Sequence, residues 1–387
     1  MNVLPSAPVI FTGPAVSVAD HGAKGDGRTD ATAAFLAAIA AAKSQGLPVC
    51  VPGGSYVLTA TLPLDGVSLW GDPRGSWPAD ATTQPALLFN APTLPCIRIQ
   101  NATLSGLCIR TSGGPDAAPT VSVEGDGVTV SNCKLFSSAQ GIVTAANGIR
   151  GLIIEDVFMP DPQYIGVKLT GTRGRTVVRN VEAWPSTIAP VPFAQNGVGF
   201  WLQDNEDVVM EDCFVWNASR AILLEEADGR GNRVYMDNCS VDFCGTGLVI
   251  CGTHDVTVEG GTFWDHYTGV QLLSGKTRLS MRGMDLKSNG APVMEIRAAG
   301  EVRCESLILR RVMDDREVPV LSMTGGEDIA FSGCSIAANC HAQPAVYIET
   351  PGKLSIRHSV VSHPDRFAFS PTSGNYDLDE NTVTALT

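Results

Sequence analysis

Apolar and polar residues alternate in short segments that recur along the chain from about residue 97. Each segment has apolar residues at every second position, then a polar Asn, Asp or Gly, and then an apolar Cys, Val or Met. Clear cases are residues 128–133, 208–213, 234–239 and 329–334. Because a period of two is that of a strand with one buried face, each segment predicts a short β-strand that ends at a bend.

The segments return about every 22 to 27 residues, with two longer intervals near residues 104–128 and 181–213. Such a repeat is typical of a solenoid, in which each coil buries its apolar side against the next coil. The strands can stay short because neighbouring coils satisfy their backbone donors and acceptors. We therefore predict an all-β parallel β-helix that forms a single domain over residues 1–387. Four cysteines share one position of the repeat and are expected to belong to an internal ladder: Cys133, Cys213, Cys239 and Cys334.

The amino-terminal region has a different pattern, with a short strand, a Gly-rich turn and a helix in residues 17–43. Thr29 or Asp30 is the expected N-cap of the helix. Its apolar face is expected to consist of Phe35, Leu36 and Ile39. We predict that this helix caps the lower end of the solenoid, and that residues 372–387, which lose the repeat, cover the last coil. An uncovered terminal coil would be an edge prone to aggregation.

Residues 48–58 and 62–72 follow as two strands separated by turn residues. Together with residues 17–43 they resemble the amino-terminal region of the pectate lyase superfamily, which includes polygalacturonase-like hydrolases, related lyases and bacteriophage tailspikes. The resemblance implies a right-handed parallel β-helix with an amino-terminal signature and cap (15–72), stacked coils (73–371) and a carboxy-terminal tail. It also implies a polysaccharide or oligosaccharide ligand. The Asn-Thr-Asp, Gly-His-Gly and Arg-Ile-Lys motifs of polygalacturonases do not occur in the chain.

Charge and composition narrow the range of partners. The formal net charge is −13, and the densest basic spots are only Arg173 with Arg175 and Arg310 with Arg311, so we expect no nucleic-acid partner. No stretch approaches 18 uninterrupted apolar residues, and no signal-peptide pattern opens the chain, so we expect no membrane partner. The resemblance nevertheless suggests extracellular or virion-associated action. The eleven cysteines show neither zinc-binding nor disulfide spacing and are expected to be buried thiols, and we expect no metal site.

Candidate catalytic residues come from the resemblance, since polygalacturonase-like members place carboxylates in the turn just before each groove-lining strand. The equivalent turns here contain, in chain order, Asp161, residues 217–220, Asp242, residues 264–267, residues 287–289, residues 314–316 and His341. Successive strands are about 4.8 Å apart, so Asp242 and Asp265 are expected to be neighbours, with Asp314 or Asp315 roughly 9–10 Å from Asp265. Inverting hydrolysis requires two carboxyl groups roughly 6.5–9.5 Å apart, so this spacing is compatible with it.

The predicted catalytic set is Asp242, Asp265, His266, Asp314 and Asp315. In this hypothesis the like charge of Asp242 raises the pKa of Asp265, which acts as the general acid. Asp314 or Asp315 is the base, and His266 orients one of the carboxyl groups. For each Asp the alternative role is to cap backbone N–H groups in its turn.

The predicted substrate-binding set is Trp264, Tyr267, Lys287, Arg316 and Trp216. The aromatic residues of this set lie at strand ends, where their rings can stack on sugar rings. Packing in the core is the alternative role of such rings, above all for Trp201. A β-elimination would instead use Lys287, Arg316, His266 or Tyr267 as base, with an acidic sugar. Hydrolysis requires no cofactor, whereas a lyase could use Ca²⁺. Carboxylates in residues 203–207 and 224–230 are either a calcium site or solvated turns.

Two functions follow from these residues and from the resemblance. The first is cleavage of a polysaccharide glycosidic bond, with hydrolysis by paired Asp favoured over β-elimination. The second is non-catalytic glycan binding, as in a phage tailspike or adhesin component, for which a homotrimer is one expected assembly.

Overall fold

A computed structural model describes residues 13–71, 85–90, 92–112, 114, 116–188, 191–265, 267–312, 317–349, 352–370 and 376–385. Internal contacts divide the chain into two compact units, residues 1–193 and residues 194–387, each of which is described by itself. In both units the chain passes through three strands per coil, which we call the first, second and third strand. Equivalent strands of successive coils pair in parallel, so each unit is a stack of β-helical coils, and the predicted fold class is confirmed.

In the first unit, first strands are Val16–Ser17, Val49–Val51, Leu69–Gly71 and Ala102–Ser105. Second strands are Asp26–Asp30, Ser55–Leu58, Ala86–Asn90 and Cys108–Ser112. Longer strands that span both positions are Val128–Phe136, Ile153–Pro160 and Arg175–Trp184. Third strands are Leu62–Asp65, Ile97–Gln100, Val121–Val123, Gln140–Thr144 and Ile165–Thr170.

In the second unit, first strands are Asp207–Glu211, Arg233–Asp237, Asp255–Glu259, Arg278–Arg282, Glu301–Glu305, Asp328–Ser332, Lys353–Arg357 and Tyr376–Asp377. Second strands are Phe214–Trp216, Ser240–Asp242, Thr262–Asp265, Asp285–Ser288, Ile308–Arg311, Ser335–Ala337, Val360–His363 and Thr382–Ala385. Third strands are Val198–Gln203, Arg220–Glu225, Thr246–Cys251, Thr268–Ser274, Met294–Ile296, Leu321–Met323 and Val346–Ile348. The tail, expected to lose the repeat, therefore adds two strands to the last coil.

The bend between first and second strands lies where the sequence predicts it. Its residue adopts a left-handed conformation with φ between 48° and 66°, at Asn132, Asp156, Asn180, Asp212, Asn238, Gly260, Gly283, Ser306, Gly333 and His358. This conformation costs least for Gly and little for Asn and Asp, which explains the polar residue of the repeat. Side chains at the bend also link coils, since Asn238 Nδ2 donates to Asp212 Oδ1 at 2.7 Å.

The predicted cysteine ladder is buried inside the coils. Cys133, Cys213, Cys239 and Cys334 are each at most 3% exposed, and all eleven cysteines are unbridged. Burial raises the pKa of the Cys133 thiol to about 12, so this group is an inert apolar filler.

The main helix spans Thr32–Gln45 and buries Phe35, Ala38, Ile39 and Ala42. Phe35 packs edge-on against Tyr56, with ring centroids 5.3 Å apart. Leu36, predicted on the apolar face, is exposed because it lies about 100° around the helix from Phe35. The N-cap is Ala31, not Thr29 or Asp30, which belong to a strand; Asp30 still accepts the Thr32 N–H at 2.9 Å.

Two shorter helical segments are the 3₁₀-helix Val18–His21 and the helix Pro192–Asn196. None of the helices in the described ranges combines the length and apolarity that crossing a bilayer requires.

Candidate functional site

A column of aromatic and charged side chains runs along the second strands of the second unit. Strand register places these residues directly beside one another, one per coil, and we call them the stripe: Trp216, Asp242, Trp264, Lys287 and Arg310. Since neighbouring strands are about 4.8 Å apart, the stripe is roughly 19 Å long. It therefore has the length of an extended surface that several sugar residues of one chain could contact.

The stripe faces outward because of the two-residue period of its strands. The residue before each stripe position points into the coil and is at most 1% exposed: Val215, Val241, Phe263, Leu286 and Leu309. The same alternation that builds the core thus exposes one column of side chains.

Asp242 ends its strand and is half-buried on the stripe. Burial raises the pKa of its carboxyl, while the Phe243 backbone N–H and the Lys287 charge act in the opposite direction. The sequence hypothesis assigned a raised pKa to Asp265 through like-charge repulsion. At Asp242 the cause of the raised pKa is loss of hydration. The hypothesis for Asp265 stays a prediction, because its side chain lies outside the described residues.

Lys287 lies across Trp264. Its Nζ is 3.2 Å from the centroid of the indole ring, which is a cation–π contact of about 0.5–1 kcal/mol at an exposed site. Trp264 is 43% exposed, so much of its ring remains accessible. The Lys287 ammonium covers part of one face of the indole ring. A sugar ring must therefore stack on the remaining surface or displace the ammonium.

Asp285 and Arg310 form an ion pair at the edge of the stripe. Arg310 Nη2 donates to Asp285 Oδ2 at 2.5 Å, and Lys287 Nζ is 4.0 Å from the same oxygen. Among the described residues, Asp285 Oδ1 and Arg310 Nε are buried without a hydrogen-bond partner. Buried polar atoms without a partner are uncommon in folded proteins, and an ordered water molecule can satisfy them.

Aromatic residues in the following turns widen the stripe. Tyr267 is 47% exposed and Phe243 is 38% exposed. The Phe243 ring lies near Trp216, with centroids 6.3 Å apart. Exposed aromatic groups beside polar side chains are a composition suited to binding carbohydrate.

Comparison with known proteins identifies the family. Residues 15–223 match the family model described as rhamnogalacturonase A/epimerase, pectate lyase-like, which covers more than half of the chain. The chain belongs to this family. The pectate lyase-like resemblance stated from the amino-terminal residues is thereby confirmed. A search of curated protein sequences gives no significant match.

Solved structures share the fold of this pectate lyase-like chain. The A-module of the Azotobacter vinelandii mannuronan C-5 epimerase AlgE6 is 15% identical, with 96% of this chain and 99% of that chain covered and a TM-score of 0.52. Pre-mature bacteriophage phi29 gene product 12 is 16% identical, with coverage of 90% and 52% and a TM-score of 0.68. The tailspike of E. coli bacteriophage HK620, solved with a pentasaccharide, is 10% identical, with coverage of 90% and 71% and a TM-score of 0.60. At these identities the similarity establishes the fold alone.

Several predicted site residues of this family member lie outside the described residues: His266, Asp314, Asp315 and Arg316. The backbone of Asp265 is described, next to Ser288 in the following coil, but its side chain is not. Ser288 is in turn beside Arg311, so Asp265 and Arg311 are two strands apart. The predicted pair of carboxylates, Asp265 with Asp314 or Asp315, stays a prediction.

The structure brings together four of the predicted residues, Asp242, Trp216, Trp264 and Lys287, on the stripe, with Tyr267 in the adjacent turn. Asp285 and Arg310 complete the arrangement and were missed as site residues. A signal was present, because Asp285 is two positions before Lys287 on the same strand face and Arg310 has the repeat position of Lys287.

Other carboxylates named from the sequence have capping roles. Asp161 Oδ1 accepts the Ser186 N–H at 2.6 Å. Asp204 accepts the Ala227 and Asp228 N–H groups, and Glu226 accepts the Thr253 N–H. Across the described ranges, no group of three or more His, Cys, Asp or Glu side chains is arranged to bind a metal ion.

Two further residues of interest lie outside the stripe. Trp201 packs against buried Val198, Leu223 and Val249, and its indole N–H donates to Glu225 at 2.8 Å. His341 Nδ1 is 2.8 Å from Asp365 Oδ2, in a turn of a later coil.

Proposed function

We propose that this protein binds a polysaccharide along the stripe and hydrolyses a glycosidic bond with Asp242 as general acid. The observation that carries the proposal is the half-buried Asp242 carboxyl, whose pKa is raised by burial, between Trp216 and Trp264 in the neighbouring strands. A general acid must still hold its proton near the working pH, which a raised pKa favours.

The neighbours of Asp242 suit a sugar chain. Trp264 and Tyr267 offer exposed aromatic surface for stacking, and the partly exposed Arg310 guanidinium offers N–H donors for hydroxyl groups. A chain laid across the coils would contact these groups in order. The pentasaccharide in the HK620 tailspike structure is a ligand of the class proposed here.

The second carboxyl group of the reaction is assigned to Asp265, which directly follows Trp264, or to Asp314 or Asp315. One of these would hold the attacking water on the opposite face of the sugar, as inversion requires. His266 and Arg316 keep their proposed roles of orienting a carboxyl group and binding substrate. Hydrolysis by this route needs no cofactor.

Glycan binding without cleavage is the second candidate. Besides Asp242, the carboxylate described beside the stripe is Asp285, and its Oδ2 is already engaged by Arg310. A surface whose charges are mutually paired and flanked by aromatic rings is suited to holding a ligand without reacting with it. A tailspike or adhesin component would use it in this way.

The test is a product assay with the full chain on neutral and uronic-acid polysaccharides, measuring new reducing ends and the absorbance of unsaturated sugars. Asp242→Asn is compared with Asp237→Asn, which changes an exposed Asp of the adjacent first strand. We expect reducing ends without absorbance, abolished only in Asp242→Asn.

Two other outcomes would contradict hydrolysis. Absorbance would indicate β-elimination and would move the role of base to Lys287, Arg316, His266 or Tyr267. The absence of any product, together with glycan binding that Trp264→Ala weakens, would support the tailspike or adhesin function and reject hydrolysis.

A further inference from the structure

We propose that Asp285 is a positioning residue that holds Lys287 over Trp264 and so keeps the Lys287 ammonium away from the Asp242 carboxyl. The inference rests on the proposed function, because it concerns the group assigned as general acid. It adds a role for Asp285 and Arg310, neither of which is adjacent to Asp242 in the stack.

The contacts of Lys287 define its position. Asp285 and Lys287 are two residues apart and project from the same face of one strand, with Lys287 Nζ 4.0 Å from Asp285 Oδ2. The same Nζ is 3.2 Å from the Trp264 ring centroid. Lys287 is therefore held between a carboxylate on its own strand and an aromatic ring on the preceding one.

Asp285 is itself anchored from the other side. Arg310 Nη2 donates to Asp285 Oδ2 at 2.5 Å from the following strand. The side chains of Asp285 and Lys287 are both only 21% exposed, so solvent screens their interaction less than that of a surface pair. The anchored carboxylate gives Lys287 a fixed partner on its own strand, which is two strands from that of Asp242.

The position of Lys287 matters because Trp264 lies between Lys287 and Asp242 in the stack. Lys287 already acts on Asp242 at this distance and partly offsets the effect of burial on its pKa. A lysine released from Asp285 can extend past the indole ring toward Asp242, and attraction between charges increases as they approach.

The groups around Asp242 leave Lys287 as its main charged neighbour among the described side chains. Phe214 and Trp216 face it from the preceding strand, Ser240 from its own strand, and Thr262 and Trp264 from the following strand. The Asp265 side chain lies outside the described part. Lys287 is the charged group that acts on the Asp242 pKa, so an effect of Asp285 on that pKa is expected to run through Lys287.

Two substitutions are therefore expected to shift the Asp242 pKa in opposite directions. Lys287→Gln removes a cation, so the pKa rises. Asp285→Asn releases Lys287 toward Asp242, so the pKa falls. The basic limb of the pH–rate profile follows the same shifts, because the acid must be protonated to react.

The experiment uses the full chain labelled with ¹³C in lysine and in the aspartate carboxyl carbon, and titrated by NMR. The Lys287 and Asp242 signals are assigned by their loss in Lys287→Gln and Asp242→Asn. In the parent, the ring current of Trp264 is expected to shift the Lys287 side-chain signals upfield. Asp285→Asn should remove this shift, whereas Asp285→Glu should retain it.

The double variant separates repositioning from a direct charge effect. If Asp285 acts through Lys287, Asp285→Asn has no effect on the Asp242 pKa in a Lys287→Gln background. A fall of the same size in that background would overturn the inference, and so would an unchanged Lys287 signal in Asp285→Asn. Asp255→Asn is the matched control, since Asp255 pairs with Arg278 on a first strand, and it should move neither signal.

The NMR titrations do not require the protein to cleave a polysaccharide. If the titrations behave as expected but no polysaccharide is cleaved, the positioning role stands and the proposed hydrolysis fails. If cleavage occurs but the double variant shows a direct effect, hydrolysis stands and the positioning role fails.

Discussion

The Asp242 carboxyl has an environment that favours the protonated form. It is half-buried at the end of a strand, and desolvation raises its pKa, while Lys287 partly offsets that effect. At neutral pH an ionised Asp242 carboxylate does not stabilise the fold, because it loses hydration in this half-buried position. A destabilising carboxyl group in an aromatic surface is typical of a functional position.

We expect Asp242→Asn to unfold at a temperature equal to or above that of the parent at pH 7. The folded pKa lies above the ordinary 3.8, so the contribution of Asp242 to stability is fully present below pH 3.8 and is lost as the pH rises through the folded pKa. Differential scanning calorimetry at pH 7 tests this, with Asp237→Asn as control. A clear loss of stability in Asp242→Asn alone would indicate a structural role.

His254 is expected to make stability fall in weak acid. It is buried, its Nδ1 accepts the Asn232 N–H at 2.9 Å, and its Nε2 donates to the Cys251 carbonyl at 3.0 Å. Burial lowers its pKa below 6.5, so the unfolded chain binds the proton first. Stability is thus fully present above pH 6.5 and is lost as the pH falls through the folded pKa.

Urea unfolding between pH 7.5 and pH 5 measures this loss. His254→Gln should reduce the pH dependence in that interval. An identical pH dependence in His254→Gln and the parent would assign the loss to other groups.

At the scale of the element, the bend between first and second strands is the feature on which each coil depends. Asn238 adopts φ of 51° and its side chain donates to Asp212 in the preceding coil. The next coil has Gly260 at the same position, with φ of 66°. Asn and Gly therefore both occur at this turn. Gly tolerates the left-handed conformation because it lacks a Cβ, and Asn because its short polar side chain can form local hydrogen bonds.

Asn238→Ala should lower the free energy of unfolding by about 1–2 kcal/mol, the cost of a left-handed conformation for a residue with a plain Cβ. Asn238→Gly should lose less, because it keeps the backbone freedom and gives up only the hydrogen bond to Asp212. Equilibrium urea unfolding of both variants measures the difference. Equal losses would place the stabilisation in the side-chain hydrogen bond and not in the backbone.

At the scale of the whole molecule, the final strands protect the last described coil. Tyr376–Asp377 pairs with Lys353–Arg357, and Thr382–Ala385 pairs with Val360–His363. Without them, two rows of backbone donors and acceptors would be open to pairing with another chain.

A chain that ends after residue 370 is therefore expected to unfold at a lower temperature and to form aggregates, unlike a chain that ends after residue 385. Light scattering during size-exclusion chromatography measures the difference. The same measurement on the full chain tests the homotrimer expected for a tailspike or adhesin component. A monodisperse shortened chain with unchanged stability would show that these strands are dispensable.

The sequence by itself determined the coils of this protein. A two-residue alternation, a polar bend and a buried Cys are local features, so residues 128–133 or 234–239 predict a strand, a turn and an inward side chain without reference to the rest of the chain. Trp216, Asp242, Trp264 and Lys287 were found differently, from the turns that the family resemblance indicates and from the aromatic residues at strand ends of the repeat.

Only the tertiary structure decided how these side chains act on one another. Strand register aligned Asp242 with Trp264 and Lys287, and it joined Asp285 to Arg310, which is 25 residues away in the chain. Burial raises the pKa of Asp242, an effect that its position in the repeat does not reveal. Hydration and Coulomb interaction depend on distances in space, and a repeat fixes those distances only once its coils are stacked.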